Sequence, residues 1–240
     1  YLKAHGKTPK EFLYLETGAT PVKWILAQRR INFLKHILDK EKNELLYKVF
    51  QAKKETPTAG DFVNLVEKDM QELGVTYEEI TQCSKVDLKK KLKVCATNAS
   101  FRELKKRLLQ HKKVKHIQYT SLQLQPYLTN QNIHKEEAHI ITACRSKCIK
   151  NVRSNFSKMF KNRLFCHLQC NQENPQIDTQ EHLLTCTKIK IQNTNNLKIQ
   201  DVFQEVDSQE NIGKLLVEIL HKRTRLINEL ETSLPGAILD

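Results

Sequence analysis

A chain of 240 residues is long enough for one large or two modest domains with real cores, and its 39% hydrophobic content, spread along the whole length, excludes a disordered chain. No run approaches 18 apolar residues, which excludes a helical membrane span, and with only six Gly and six Pro the long uninterrupted stretches favour helix. The formal charge of +13 is segregated: residues 84–116 carry twelve Lys/Arg against Asp87 and Glu103, residues 145–163 carry seven and no acid, and the remainder is net acidic, as expected of a surface that meets a polyanion.

The opening YLKAHGKTPK has neither a signal-peptide pattern nor an initiator Met, so a piece of a longer chain is expected. Thr20 and Pro21 signal a helix start, and Val22, Ile25, Leu26, Phe33, Leu34, Ile37 and Leu38 recur at helical spacing after it. Leu45, Leu46, Val49 and Phe50 predict a second helix, stopped by ETPTAG. Asp61 is placed to cap DFVNLVEKDMQEL and Gly74 to close it, and Thr76–Glu79 spells a capping box. Two basic helices are expected next, over 84–95 and 98–111, their lysines on the faces left by Leu88, Leu92, Phe101, Leu104 and Leu108.

In VKHIQYTSLQLQPYL, local alternation predicts an extended strand or arm bounded by Pro126. A helix over about 134–150 follows, and SQENIGKLLVEILHKRTRLINELE, with Ser208 as cap, predicts a long last helix. The chain is thus expected to be mainly α. Its segments would be an N-terminal helical region (1–55), a basic helical domain (56–163), a small Cys₃His module (164–190) and a C-terminal helical tail (191–240).

The most specific motif is CHLQCNQENPQIDTQEHLLTC, residues 166–186. A structural zinc site needs thiolates and imidazoles that converge on a tetrahedron, usually as two close pairs. Cys166 and Cys170 form one pair across three residues, and His182 and Cys186 form the other at i, i+4. Asp178 and Glu181 read as the start signature of a helix near Thr179 that would put His182 and Cys186 on one face. The predicted set is Cys166, Cys170, His182 and Cys186 around a structural Zn²⁺, with no position open for catalysis. His167 would point away, and Cys83, Cys95, Cys144 and Cys148 read as packing cysteines. Seven cysteines at irregular spacing disfavour a disulfide framework and point to a reducing, intracellular home, nuclear or cytoplasmic.

No Gly-rich phosphate loop, HExxH, Gly-x-Ser-x-Gly elbow or close aspartate pair occurs, so the stretch is expected to be non-enzymatic. His134 and His139, at i, i+5, read as a surface and a packing histidine. Lys105, Lys106, Arg107, Lys112 and Lys113 are the first candidates for contact with nucleic-acid phosphates. Lys147, Arg153, Lys158 and Arg163 follow, with Tyr119 as a candidate to stack on bases; Trp24 could do the same but lies on the apolar face of its helix, where core packing is expected instead.

Taken in order, FLYLETGATPVKWILAQRRINFLKHIL, GDFVNLVEKD, EEAHIITACRSKC with NFSKMF, the C-x₃-C…DTQEHLLTC motif and the tail DVFQ…IGKLLVEILHKR resemble the C-terminal portion of non-LTR retrotransposon reverse transcriptases. The resemblance spans most of the chain. It implies a region that follows the polymerase palm and thumb and ends in a Cys/His zinc module, with the family's ligands falling on Cys166, Cys170, His182 and Cys186. The first pair is often separated by two residues in that family and here by three. The implied role is accessory to target-primed reverse transcription: holding template RNA or target DNA by its phosphate backbone beside the upstream polymerase domain, away from any membrane. The polymerase's aspartates and a nuclease would lie elsewhere in the polyprotein. The competing expectation is a zinc-stapled helical scaffold that packs on the polymerase, with Phe12, Leu13, Tyr14 and Leu15 as docking residues, and binds no nucleic acid itself.

Overall fold

A computed structural model of the chain describes residues 8–56, 58–115, 117–149, 165–189 and 209–233. Among these the regular structure is helical: α1 (Lys10–Thr17), α2 (Val22–Leu38), α3 (Leu45–Glu55), α4 (Phe62–Leu73), α5 (Tyr77–Gln82), α6 (Lys85–Leu108), α7 (Lys135–Arg145), α8 (Gln180–Thr185) and α9 (Gln209–Ser233), with a 3₁₀ turn at Pro126–Leu128. No helix among the described residues is long and apolar enough to cross a membrane. The chain divides into two compact units, and the boundary falls inside α1.

The first unit is Tyr14–Leu108 with Tyr119–Leu124. Its centre is α2, which packs on α4 and α6. The buried side chains recur every three or four residues: Trp24, Ala27, Ile31, Leu34 and Ile37 on α2, Val63, Val66, Met70 and Leu73 on α4, Leu88, Leu92, Ala96 and Ala99 on α6. That spacing turns one stripe of each helix inward. Polar ties join α2 to α4 and to α5. Asp69 on α4 is buried and accepts from the Arg30 guanidinium of α2, and buried Lys35 reaches Thr81 O at 3.1 Å and Asp39 Oδ1 at 2.7 Å.

Local signals set most helix ends. Asp61 caps α4, accepting from the Asn64 N–H at 3.0 Å, and Gly74 ends it in the left-handed region at φ 66°. Thr76 and Glu79 form the capping box of α5. Pro21 lies one place before the position expected for it: its ψ of 146° makes it the N-cap, and the helix starts at Val22. The two basic helices expected over 84–95 and 98–111 are one, α6. Ala96, Thr97 and Asn98 contain no Gly or Pro to break it, and buried Ala96, Ala99 and Ser100 carry the inward stripe through the middle.

The alternating segment after α6 is extended at its end without forming a strand. Leu124 makes an isolated antiparallel bridge with Thr17, and Tyr119 donates to the buried Glu16 carboxylate. Gly18, at φ 64°, permits this approach: a Cβ there would sit 2.4 Å from the Leu124 nitrogen.

The second unit contains the other described residues. Here α7 packs on α9, and Ile141, Cys144, Ile212, Leu216, Ile219 and Ile227 share one core with Tyr127, Leu168, Leu183 and Ile189. Gly213 lets the helices close, since a Cβ there would lie 3.1 Å from Glu137 Cβ. The expected helix over 134–150 stops at Arg145. Lys147 adopts φ 51°, and the N–H groups of Lys147 and Cys148 return to the Cys144 and Ala143 carbonyls at 3.0 and 2.8 Å, a Schellman ending. One core forms where the inward stripe of α2 is covered by α4 and α6, the other where that of α7 is covered by α9. The expected cap Ser208 lies outside the described residues.

Two substitutions test this packing by denaturant unfolding. Leu92→Ala removes a fully buried side chain and is expected to cost about 3 kcal/mol. Lys147→Gly relieves a Cβ in the left-handed region and is expected to stabilise the second unit by about 1 kcal/mol.

Candidate metal centre

Two short elements of the second unit carry the four residues that could hold a metal ion. The first is a small ribbon closed by an antiparallel bridge between Phe165 and Ile177 and by the Cys166 N–H donating to Gln176 O at 2.8 Å. Within it the Gln169 N–H turns back to Cys166 O at 3.0 Å, and Gln169 itself adopts φ 46°. That left-handed residue absorbs the third spacer of the C-x₃-C pair, so Cys170 swings back beside Cys166.

The second element is α8. Its cap is Thr179, whose hydroxyl accepts from the His182 N–H at 3.0 Å. Asp178, expected as part of the start signature, does something else: it is fully buried and paired with Arg223. Gln180 is also buried and donates to the Cys144 carbonyl at 3.0 Å, tying α8 to α7. Cys186 is the first residue past the helix. Thr187 Oγ1 donates to Cys170 O at 3.1 Å, closing the loop between the two ligand pairs.

The ligand atoms of Cys166, Cys170, His182 and Cys186 all lie within 4.8 Å of one another. Cys166 and Cys186 Sγ are 3.9 Å apart, and Cys170 Sγ is 3.3 Å from His182 Nε2. A tetrahedral zinc ion, with bonds of about 2.3 Å to sulfur and about 2.0 Å to nitrogen, would hold such atoms roughly 3.6–3.8 Å apart. The cluster is compatible with zinc in size and donor set, and four protein ligands leave no open position.

Without a cation shared among them, ionisation of one thiol disfavours ionisation of the others. A hydrogen bond from Cys186 holds the Cys166 thiol down at about 3 against the opposing effect of burial, with His182 helping. The same contact, together with burial, pushes the Cys186 thiol far above the ordinary range. Burial and the negative Cys166 raise Cys170. A divalent ion is what would let all three ionise together.

The competing residues stand apart from this cluster. Cys144 is wholly buried with its Sγ 3.5 Å from the Gln180 amide nitrogen, and its thiol is pushed up to about 12 by burial. Cys148 is buried with its Sγ 3.3 Å from Ser146 O, while Cys83 and Cys95 are half-buried in the first unit. His134 is exposed at the head of α7, where its N–H donates to the Glu137 carboxylate at 3.2 Å, and His139 is half-buried.

The basic candidates distribute over both units. Lys105, Lys106 and Arg107 form the exposed last turn of α6, with Lys105 over the Phe101 ring at 5.6 Å and Arg107 paired to Glu103. In the second unit Lys112 is exposed, and Lys113 and Lys147 are half-buried. Arg153, Lys158 and Arg163 lie outside the described residues. Trp24 lies in the core, as its place on the apolar face of α2 predicts, whereas one expectation fails: Tyr119 is about 96% buried and cannot stack on bases without unfolding its surroundings. Phe12 and Leu15 are likewise fully buried and not available for docking.

Sequence reading missed Arg223. Its signal was present as a lone arginine in the apolar series Ile212, Leu216, Ile219, Arg223, Ile227, at helical spacing. No protein-family model, curated protein or solved structure matches the chain.

The protonation pattern gives a direct test. Zinc needs all three cysteines as thiolates, and the Cys170 and Cys186 thiols are the two pushed up. Zinc titration by calorimetry in buffers of different ionisation enthalpy is therefore expected to show protons released on binding, with affinity falling as pH is lowered.

Proposed function

We propose that this chain is a non-catalytic nucleic-acid-binding region stapled by a structural zinc ion, accessory to a reverse transcriptase of the non-LTR retrotransposon type. The observation that carries the reading is the state of the charge on α6. This helix bears nine Lys/Arg against Asp87 and Glu103. Of these, Lys89, Lys90, Lys93, Arg102 and Lys106 are exposed and form no ion pair among the described residues. Cations left unneutralised by the protein's own acids are suited to phosphate oxygens, and such pairings position a duplex or strand without reading its sequence.

The ordered resemblance to the post-thumb region of that polymerase family supports the same partner. The four-ligand cluster supports a zinc ion that holds residues 165–189 in shape and leaves the chemistry to other domains.

A second reading, a scaffold that packs on another domain and binds no nucleic acid, is favoured by one feature of α2. Val22, Ile25, Leu26 and Phe33 are exposed by 62%, 38%, 42% and 46% and share the face opposite buried Ala27, Ile31 and Leu34. An apolar stripe on the outer side of an otherwise core helix suits a protein partner.

One experiment separates the two. Binding to structured RNA and to duplex DNA is measured across a salt series, with zinc content determined on the same sample. The accessory reading expects about one zinc per chain and a steep salt dependence. The triple variant Lys105→Ala/Lys106→Ala/Arg107→Ala should flatten the log–log slope by roughly one for each phosphate that is no longer neutralised. Zinc without binding at low salt would leave the scaffold.

A further inference from the structure

The buried pair between Arg223 and Asp178 joins the last helix to the candidate metal centre. Both side chains are 0% exposed, and the Arg223 Nη2 lies 2.8 and 2.7 Å from the two carboxylate oxygens. Arg223 occupies a core position of α9, in line with Ile219 and Ile227 and on the helix that packs against α7. A charge taken out of water at such a place is stabilising only when its partner is held in good geometry, and an apolar residue would fill the same space more cheaply.

The position of Asp178 suggests what the pair does. It stands between Ile177, whose bridge to Phe165 closes the ribbon carrying Cys166 and Cys170, and Thr179, the cap of the helix carrying His182. Asp178 is the joint between the two ligand-bearing elements. Its neighbours on either side are fixed locally: Gln176 O accepts from the Cys166 N–H, and Gln180 is anchored to the Cys144 carbonyl. The Arg223 side chain comes from 45 residues further along the chain.

We propose that Arg223 is a positioning residue of the metal centre: through Asp178 it fixes the ribbon against α8, so that metal retention and the seating of α9 on α7 are one coupled equilibrium. This rests on the metal reading above. Reciprocity follows from linkage. Whatever factor the seated helix adds to metal affinity, the bound metal adds to seating of the helix.

The test uses the full chain loaded with zinc and follows transfer of the ion to excess chromogenic chelator. Arg223→Met is expected to release zinc at least tenfold faster, Arg223→Lys to recover part of the loss, and Arg225→Met, an exposed position on the same helix, to behave as native. The double variant Asp178→Leu/Arg223→Met keeps the core filled. It is expected to fold and still release zinc fast, because apolar packing does not orient the joint. Native release from Arg223→Met, or full recovery in the double variant, would overturn the proposal and make the pair mere filling.

Hydrogen exchange on the native chain needs no variant. Removing zinc should speed exchange across α9 and leave α2 and α4 unchanged; equal exchange in α9 with and without zinc would overturn the coupling. A native chain that takes up no zinc overturns the metal reading and this inference together, whereas native loading with an indifferent Arg223→Met overturns this inference alone.

Discussion

The convergence of four ligand atoms from two short elements is the constraint on which the second unit turns. Residues 165–189 bury few aliphatic side chains, chiefly Leu168, Leu183 and Ile189, while Phe165 and Ile177 remain half-exposed. Such a segment cannot be held by apolar burial alone, and short stretches of this kind depend on a cross-link. Cys166, Cys170, His182 and Cys186 supply one if a cation joins them and lets the three thiols ionise together. The ribbon, the Thr179 cap and the Gln180 anchor all serve to bring these atoms together.

The first unit is organised differently. Its stability comes from stripes of aliphatic side chains on α2, α4 and α6, with the Arg30–Asp69 and Lys35–Thr81 hydrogen bonds locking helix to helix. Because α6 is one continuous helix, its inward stripe of Leu88, Leu92, Ala96, Ala99 and Leu104 leaves the lysines nowhere to go but outward. Packing and charge display are therefore two consequences of one sequence pattern. Along the outer stripe of α2, Phe33 meets the Phe62 ring edge-on at 5.4 Å, but Val22, Ile25 and Leu26 stay exposed, which is why a protein partner stays alongside a nucleic acid in the functional reading.

Much of the local architecture was legible because its causes are local. A cap such as Asp61, a left-handed terminator such as Gly74, or the Thr76–Glu79 box acts over three or four residues, and the structure has each where the spacing puts it. The expected division of α6 into two helices fails because Ala96 and Thr97, the residues between the two spans, include nothing that breaks a helix. Asp178 was misread for a related reason. Its spacing to Glu181 fits a cap, but Thr179 takes that role, and an arginine far along the chain takes the carboxylate.

By itself, then, the sequence determined the helical class, most helix boundaries, the segregation of positive charge and the four candidate ligands, all of which depend on residue types at short separations. The tertiary structure alone decided that Tyr119, Phe12 and Leu15 are buried rather than available, that the helices sort into two cores, and that Arg223 reaches Asp178. Those outcomes depend on which stripe meets which. Burial and ion pairing between distant residues are properties of the packed helices, and no spacing rule along the chain contains them.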